Sequence, residues 1–331
     1  MRFFLLFVFS ILLHLELSAQ KIFSPTALDI FKHVEQVDNG FLQPASSGRI
    51  QSAMFGMVRD GGSRFHEGID VKSVKKMGNG TPMDLIYAVY PGIVAHLSPE
   101  NNGSYGRYVV LLHRKDGFEF YTLYGHLLSV SPALKEGDTI RAGTILGMLG
   151  QTSTVYNISK SSAHLHFEIG MVLGESGFDN WFARNYGPGN LHGRYNGFNL
   201  VGVDPIGFYT FHSGKTDFLP AAWLKTLKPA FTVYYPDSAV PSLLKRSPAL
   251  CKQEIPAGQF HWEIDFTWFG LPVAFRPVKM KSSSLKIENV SADFRSIAEK
   301  RSVLACREGQ FFPGKTLKNY LEIIFNPSSG K

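Results

Sequence analysis

From residue 55 to about 209 the sequence is a succession of short apolar runs broken by glycine: 86–90, 92–95, 108–112, 118–123, 139–140 and 165–169. Runs of this length, rich in β-branched and aromatic residues and bounded by turn residues, are strands. Lys115-Asp116-Gly117 and Glu136-Gly137-Asp138 supply the turn chemistry that hairpins need. The composition agrees, with 13% aromatics, 32 Gly and 18 Pro, and the expected fold class is mainly β. Residues 174–200 differ: six glycines and Pro188 are interleaved there with Trp181, Phe182, Tyr186 and Tyr195, which reads as a long loop excursion. Beyond 211 the strands resume, because Trp262, Ile264, Phe266 and Trp268 alternate with Glu263, Asp265 and Thr267, a half-buried strand by its period of two. The run 320–325 reads as a final strand.

The ends of the chain carry other signals. Arg2 precedes Phe3, Phe4, Leu5, Leu6, Phe7, Val8 and Phe9, and Ser18-Ala19 follow the apolar stretch, so residues 1–19 read as a secretory signal peptide and the mature chain as exported to the periplasm or cell envelope. After the first twenty residues no apolar run approaches the roughly 18 residues a spanning helix needs. Residues 20–48 form a leader with modest helical character around 27–34, residues 49–210 a first domain, and residues 211–331 a smaller β-rich domain. Net charge is +7, and its excess lies in the last segment, where 17 Lys+Arg face 10 Asp+Glu. Cys251 and Cys306 are the two cysteines. After export they could pair, whereas their separation of 54 intervening residues rules out a short-spaced metal motif.

The chemistry-bearing residues are histidines on strands. In Phe65-His66-Glu67-Gly68-Ile69-Asp70-Val71, an extended chain points residues 66, 68 and 70 one way while Ile69 and Val71 face the core. An imidazole and a carboxylate then share a face, as two zinc ligands would. In Ala163-His164-Leu165-His166-Phe167-Glu168-Ile169, Leu165, Phe167 and Ile169 bury, and His164, His166 and Glu168 project from the opposite face. Two adjacent imidazoles on a rigid strand have no structural benefit; one on a metal and one aimed at substrate accounts for both. Glu168 reads as a solvated carboxylate, with orientation of a ligand histidine as the alternative. A third element, Tyr124-Gly125-His126-Leu127, ends an aromatic strand.

H-x-x-x-D, Y-G-H-L and H-L-H-F-E in this order resemble the lysostaphin or LytM-like zinc metalloendopeptidases that hydrolyse bacterial peptidoglycan. The resemblance runs from about residue 55 to 205 and includes Pro91-Gly92-Ile93-Val94, Tyr105-Gly106-Arg107-Tyr108 and Gly137-Asp138-Thr139-Ile140. It implies an antiparallel barrel-sandwich-like catalytic domain. By the same resemblance His66, Asp70 and His166 are zinc ligands for one Zn2+ per chain, and His126 and His164 are catalytic. Three protein ligands leave a fourth tetrahedral position open, as hydrolysis requires. Glu67 is not the base of an H-E-x-x-H helix, since Asp70 stands where that motif has its second His. The implied partners are peptidoglycan peptides, with polyanionic wall components attracted to the basic C-terminal domain, and no nucleic acid. A silent wall regulator on the same fold, or a zinc peptidase of proteins, are the alternatives. The chain departs from the family in its long 151–163 stretch, in the Lys72, Lys75, Lys76, Met77 insertion and in the 174–200 excursion, all of which bear on specificity. His113 reads as a strand-end residue, and His96, His192, His212 and His261 lack partner spacing.

Overall fold

The computed structural model describes residues 21–45, 47–59, 64–175 and 177–325; the stretch 1–19, expected to be a signal peptide, lies outside the described residues. Nine strands form one antiparallel sheet. Its path runs Leu200–Val203, His164–Val172, Phe118–Val130, Gly106–Lys115, Gly92–Asn102 and Thr139–Ile140. Ile69–Lys72 pairs with the outer half of His164–Val172, and Ile145–Leu149 joins Phe118–Val130 to Leu85–Tyr87. The path has two ends rather than closing, so the fold is mainly β and antiparallel as expected, and barrel-like only loosely. The hairpin at Lys115-Asp116-Gly117 forms with Lys115 opposite Phe118. Asp116 and Gly117 have φ of 52° and 70°, the left-handed pair that a two-residue hairpin turn requires.

The segment after 211 builds a second, four-stranded antiparallel sheet in the order Pro272–Val278, His261–Phe266, Phe231–Tyr235, Lys286–Glu288. The alternation at 262–266 is therefore a strand, as its period indicates. The run 320–325 is not: Lys315–Phe325 is an α-helix. Leu317, Tyr320, Leu321 and Ile324 bury at helical spacing, while Lys318 and Glu322 stay exposed. Six residues, five of them apolar, are too few to separate the two periods, and the preceding turn decides the outcome.

One hydrophobic core joins both sheets, running from Ile69, Leu165 and Phe167 through Trp262 and Phe266 to Leu321. Polar clamps tie the same halves together. Arg246 pairs with Glu119 at 2.6 Å with both side chains buried, Ser247 Oγ accepts from the Glu119 amide at 3.0 Å, and the Ala249 amide donates to the Gly117 carbonyl at 3.0 Å. The leader also packs: Ile30 and Phe41 are buried, and the Gln43 amide donates to the Asp70 carbonyl at 2.8 Å. It thus lies against the strand that carries Asp70. Cys251 and Cys306 are unpaired, a correction to the disulfide that export suggested. Each thiol has its own local partner, the Gln253 carbonyl for Cys251 and the Arg295 guanidinium for Cys306. No helix among the described residues is long and apolar enough to cross a membrane.

Candidate metal centre and active-site cleft

Sheet register brings the motifs together. His166 stands opposite Asp70 on one neighbouring strand and opposite Gly125 on the other, so the three histidine-bearing segments meet at one point of the sheet. Gly68 makes the approach of the His66 turn possible. A Cβ there would lie 2.2 Å from the Phe167 carbonyl oxygen and 2.9 Å from Glu168 Cγ, closer than any side chain tolerates. Gly202 does the same on the far side, since its Cβ would meet the Glu67 carbonyl at 1.9 Å.

Each ring is held by an acceptor that fixes its tautomer. His66 Nδ1 donates to the Met54 carbonyl at 2.8 Å, His126 Nδ1 to the Thr152 carbonyl at 2.8 Å, and His164 Nδ1 to the Ser162 carbonyl at 2.8 Å. A carbonyl accepts only, so these rings, when neutral, carry their lone pair on Nε2. His166 is held the other way round: its Nε2 donates to Glu168 Oε1 at 2.8 Å, leaving the lone pair on Nδ1. Glu168 is buried and also accepts from the Tyr121 hydroxyl at 2.7 Å. It is therefore not the solvated carboxylate the sequence suggested, but the carboxylate that orients His166.

The three remaining donor atoms converge. His66 Nε2 and Asp70 Oδ1 are 3.1 Å apart, His166 Nδ1 and Asp70 Oδ1 3.0 Å, and His66 Nε2 and His166 Nδ1 3.3 Å. These are the only three side chains among the described residues grouped as a possible metal site. Two imidazole lone pairs and a carboxylate oxygen facing one another repel unless a cation or proton lies among them. The edges of a tetrahedron with metal–ligand bonds of 2.0–2.1 Å are about 3.3 Å, so the donor set fits a zinc-sized ion.

His126 and His164 flank this triad. Their ring centroids are 4.9 Å apart, His126 lies 5.8 Å from His166 by the same measure, and His164 Nε2 lies 3.6 Å from Asp70 Oδ1. Burial, and then the neighbouring His164 and His166, push the His126 pKa down to about 3, which keeps it neutral. Its backbone φ of 60° is in the left-handed region, uncommon for a residue with a Cβ. The His126 amide is held there by the Tyr105 carbonyl at 2.7 Å. Burial works against a charged His166, but hydrogen bonds to Asp70 and Glu168 outweigh it and raise its pKa to about 10.

These side chains line a cleft of about 1400 Å³. Tyr105, half-buried and with its phenol pushed up by desolvation and by Glu168 and Glu67, stands beside the histidines. Tyr156 and Val155 come from the long 151–163 stretch, and Tyr186 and Phe198 from the 174–200 excursion. Those two rings stack at 4.4 Å beyond the helix Phe178–Tyr186, so the excursion is an ordered wall. Arg301, Lys315 and Asn319 come from the C-terminal segment. Arg301 Nη2 donates to Glu67 Oε1 at 2.8 Å and lies 3.2 Å from the Tyr320 hydroxyl, while Glu67 Oε2 accepts from the Gly202 amide at 3.0 Å. Glu67 is thus a structural anion beside His66. His113 is buried inside its strand, away from the cleft, with Nδ1 donating to the Pro91 carbonyl at 2.8 Å.

Comparison with known proteins gives the following. Residues 64–176 match the model of Peptidase family M23. Among solved structures, the chain is similar to a zinc containing peptidase from Vibrio cholerae, with 20% identity over 39% of this chain and 35% of that one and a TM-score of 0.27. It is also similar to the catalytic domain of the antimicrobial peptidase lysostaphin from Staphylococcus simulans, with 24% identity over 47% and 88% of the two chains and a TM-score of 0.29. The catalytic domain of a mutant of the prophage-encoded M23 protein EnpA from Enterococcus faecalis gives 24% identity over 39% and 86%, with a TM-score of 0.27. The chain spans about a third of the length of the Vibrio cholerae protein. A search of curated proteins finds no match to the chain. The matched stretch, residues 64–176, holds all three histidine motifs.

Proposed function

We propose that this protein is an exported, zinc-dependent metalloendopeptidase that hydrolyses an amide bond in the peptide cross-links of bacterial peptidoglycan. His66 Nε2, Asp70 Oδ1 and His166 Nδ1 hold one zinc ion, and the observation that carries this is their mutual separation of 3.0 to 3.3 Å with every other ring nitrogen of the triad already committed. The ion supplies Lewis acidity, which polarises the scissile carbonyl and makes a nucleophile available at neutral pH. The chain's own part is proton handling. The lone pair of His126 Nε2 or of His164 Nε2 accepts the proton of the attacking water as its oxygen bonds to the carbonyl carbon. The protonated ring then stabilises the oxyanion and returns the proton to the departing nitrogen as the C–N bond breaks, so an acid and an amine leave. Tyr105, kept protonated by burial, adds a hydroxyl donor to the cleft wall.

Export rests on the sequence of residues 1–19. The substrate rests on the family and on a cleft walled by both a peptide-sized groove and aromatic side chains. The basic excess of residues 211–331 supports attraction to polyanionic wall polymers as a second contribution to targeting. The test is digestion of purified peptidoglycan by the full chain with and without a chelator. Release of peptide fragments with new amino termini, abolished by the chelator and restored by zinc, supports the proposal. Intact wall with a zinc-loaded protein would favour a silent wall-binding protein instead.

A further inference from the structure

The charges that face the cleft are unevenly committed. Among the described residues three carboxylates line it, Glu67, Asp70 and Glu168. Glu67 is spent on Arg301 and the Gly202 amide, Asp70 on the ligand triad, and Glu168 on His166 and Tyr121. Three cations line the same cavity, Arg64, Arg301 and Lys315. Arg301 is largely neutralised by Glu67, and Arg64 lies 4.7 Å above the Tyr156 ring. Lys315 is exposed, and among the described residues no carboxylate is paired with its ammonium. Asn319 lies on the same wall, where its Nδ2 donates one proton to the Tyr186 hydroxyl at 3.3 Å and keeps a second, while the neighbouring Thr316 hydroxyl is spent on the Arg301 carbonyl at 3.0 Å. The charge of Lys315 thus sits, without a paired carboxylate among the described residues, on the wall built by the C-terminal segment, outside the residues that match the family.

We propose that Lys315, supported by Asn319, forms a carboxylate subsite, so that the peptide this cleft takes carries a free carboxylate near the bond to be cut. This deepens the peptidase reading and rests on it for the nature of the ligand. A carboxylate seated on a lysine at the edge of a cleft gains a charge-assisted hydrogen bond that its amide analogue lacks. The carboxylate could be a chain terminus or an acidic side chain, and Lys315 recognises the chemistry they share.

The experiment uses the full chain and four fluorescent peptides: dansyl-tetraglycine as free acid and as amide, and dansyl-Gly-Gly-Glu-Gly-amide beside its Gln counterpart. Binding is read by stopped-flow anisotropy before turnover, and cleavage of the same samples by mass spectrometry. The expected result is about tenfold tighter binding of an acid than of its amide at 0.1 M salt. That preference should shrink at 1 M, where the Debye length falls to about 3 Å. It should be kept in Lys315→Arg and lost or reversed in Lys315→Glu, an exposed position where folding is not at stake. Preference in only one pair identifies the source as terminus or side chain. Equal binding of acids and amides, no binding of any peptide, or a preference that survives Lys315→Glu overturns the subsite. Acid preference without cleavage would keep the subsite and remove the peptidase reading, and cleavage without preference would do the reverse.

Discussion

Glu168 Oε1 accepts a hydrogen bond of 2.8 Å from Nε2 of His166, two residues earlier on the same strand. The contact fixes the ring so that Nδ1 faces Asp70, and it makes that nitrogen a better donor. Carboxylates that orient a ligand histidine typically account for 10–100-fold in metal affinity. Glu168→Gln should therefore weaken zinc binding by about that factor, read by competition with a chromogenic chelator, while the circular dichroism spectrum stays unchanged. Unaltered zinc affinity would remove the orienting role.

Arg301 and Glu67 form a second such pair, 234 residues apart and buried on both sides. Burial, and after it the neighbouring Glu168, raises the Glu67 pKa to about 7 against the opposing pull of Arg301. Arg301→Ala leaves a buried carboxylate unpaired, and breaking such pairs costs about 3–5 kcal/mol. Arg301→Ala with Glu67→Gln should recover part of that loss, because the charge is gone. Denaturant titration of the two variants decides it: equal stability of the single and double variants would contradict the pairing.

His113 gives the pH dependence. Burial pushes its pKa from the ordinary 6.5 down to about 4, so between those values the unfolded chain binds more protons than the folded one. Stability therefore rises with pH through this window, is complete above about 6.5 and is lost towards 4. The contribution is on the order of 3 kcal/mol. In the presence of a chelator, the stability difference between pH 7 and pH 4 should be smaller by about that amount in His113→Asn than in the wild type. An identical pH difference in both would show that His113 does not titrate as its burial implies.

The C-terminal segment shares the core and both clamps, Arg246 with Glu119 and Arg301 with Glu67. Ending the chain at residue 210 would uncover Phe120 and Phe208, which pack on Phe218, and remove the buried Arg246 partner of Glu119. That truncated chain should be insoluble or show no cooperative melting transition. A soluble truncation with a sharp transition and bound zinc would show that residues 49–210 fold alone.

What the sequence made legible follows from where the information sits. The face shared by His164 and His166 was readable because the alternation of Leu165, Phe167 and Ile169 encodes it within six residues. The meeting of His66, Asp70, His126 and His166 came from the ordered motifs, since pairing across 96 residues leaves no local trace. Glu168 was misread because its partner Tyr121 lies 47 residues away, and a carboxylate on an otherwise polar strand face looks solvated. Arg301 and Lys315 carried no signal, as nothing near them in sequence says which wall they join. The helix at 315–325 was taken for a strand because its apolar run was scored without the buried Leu317 one turn earlier.

The central claim is that His66, Asp70 and His166 hold a metal while His126 and His164 serve the reaction. Zinc content by mass spectrometry of purified wild type, Asp70→Ala and His164→Ala tests it most directly, with peptide cleavage assayed on the same samples. The account predicts about one zinc per chain and activity in the wild type, loss of both in Asp70→Ala, and retained zinc without turnover in His164→Ala. A wild type that binds no zinc, or equal zinc loss in the two variants, would contradict it.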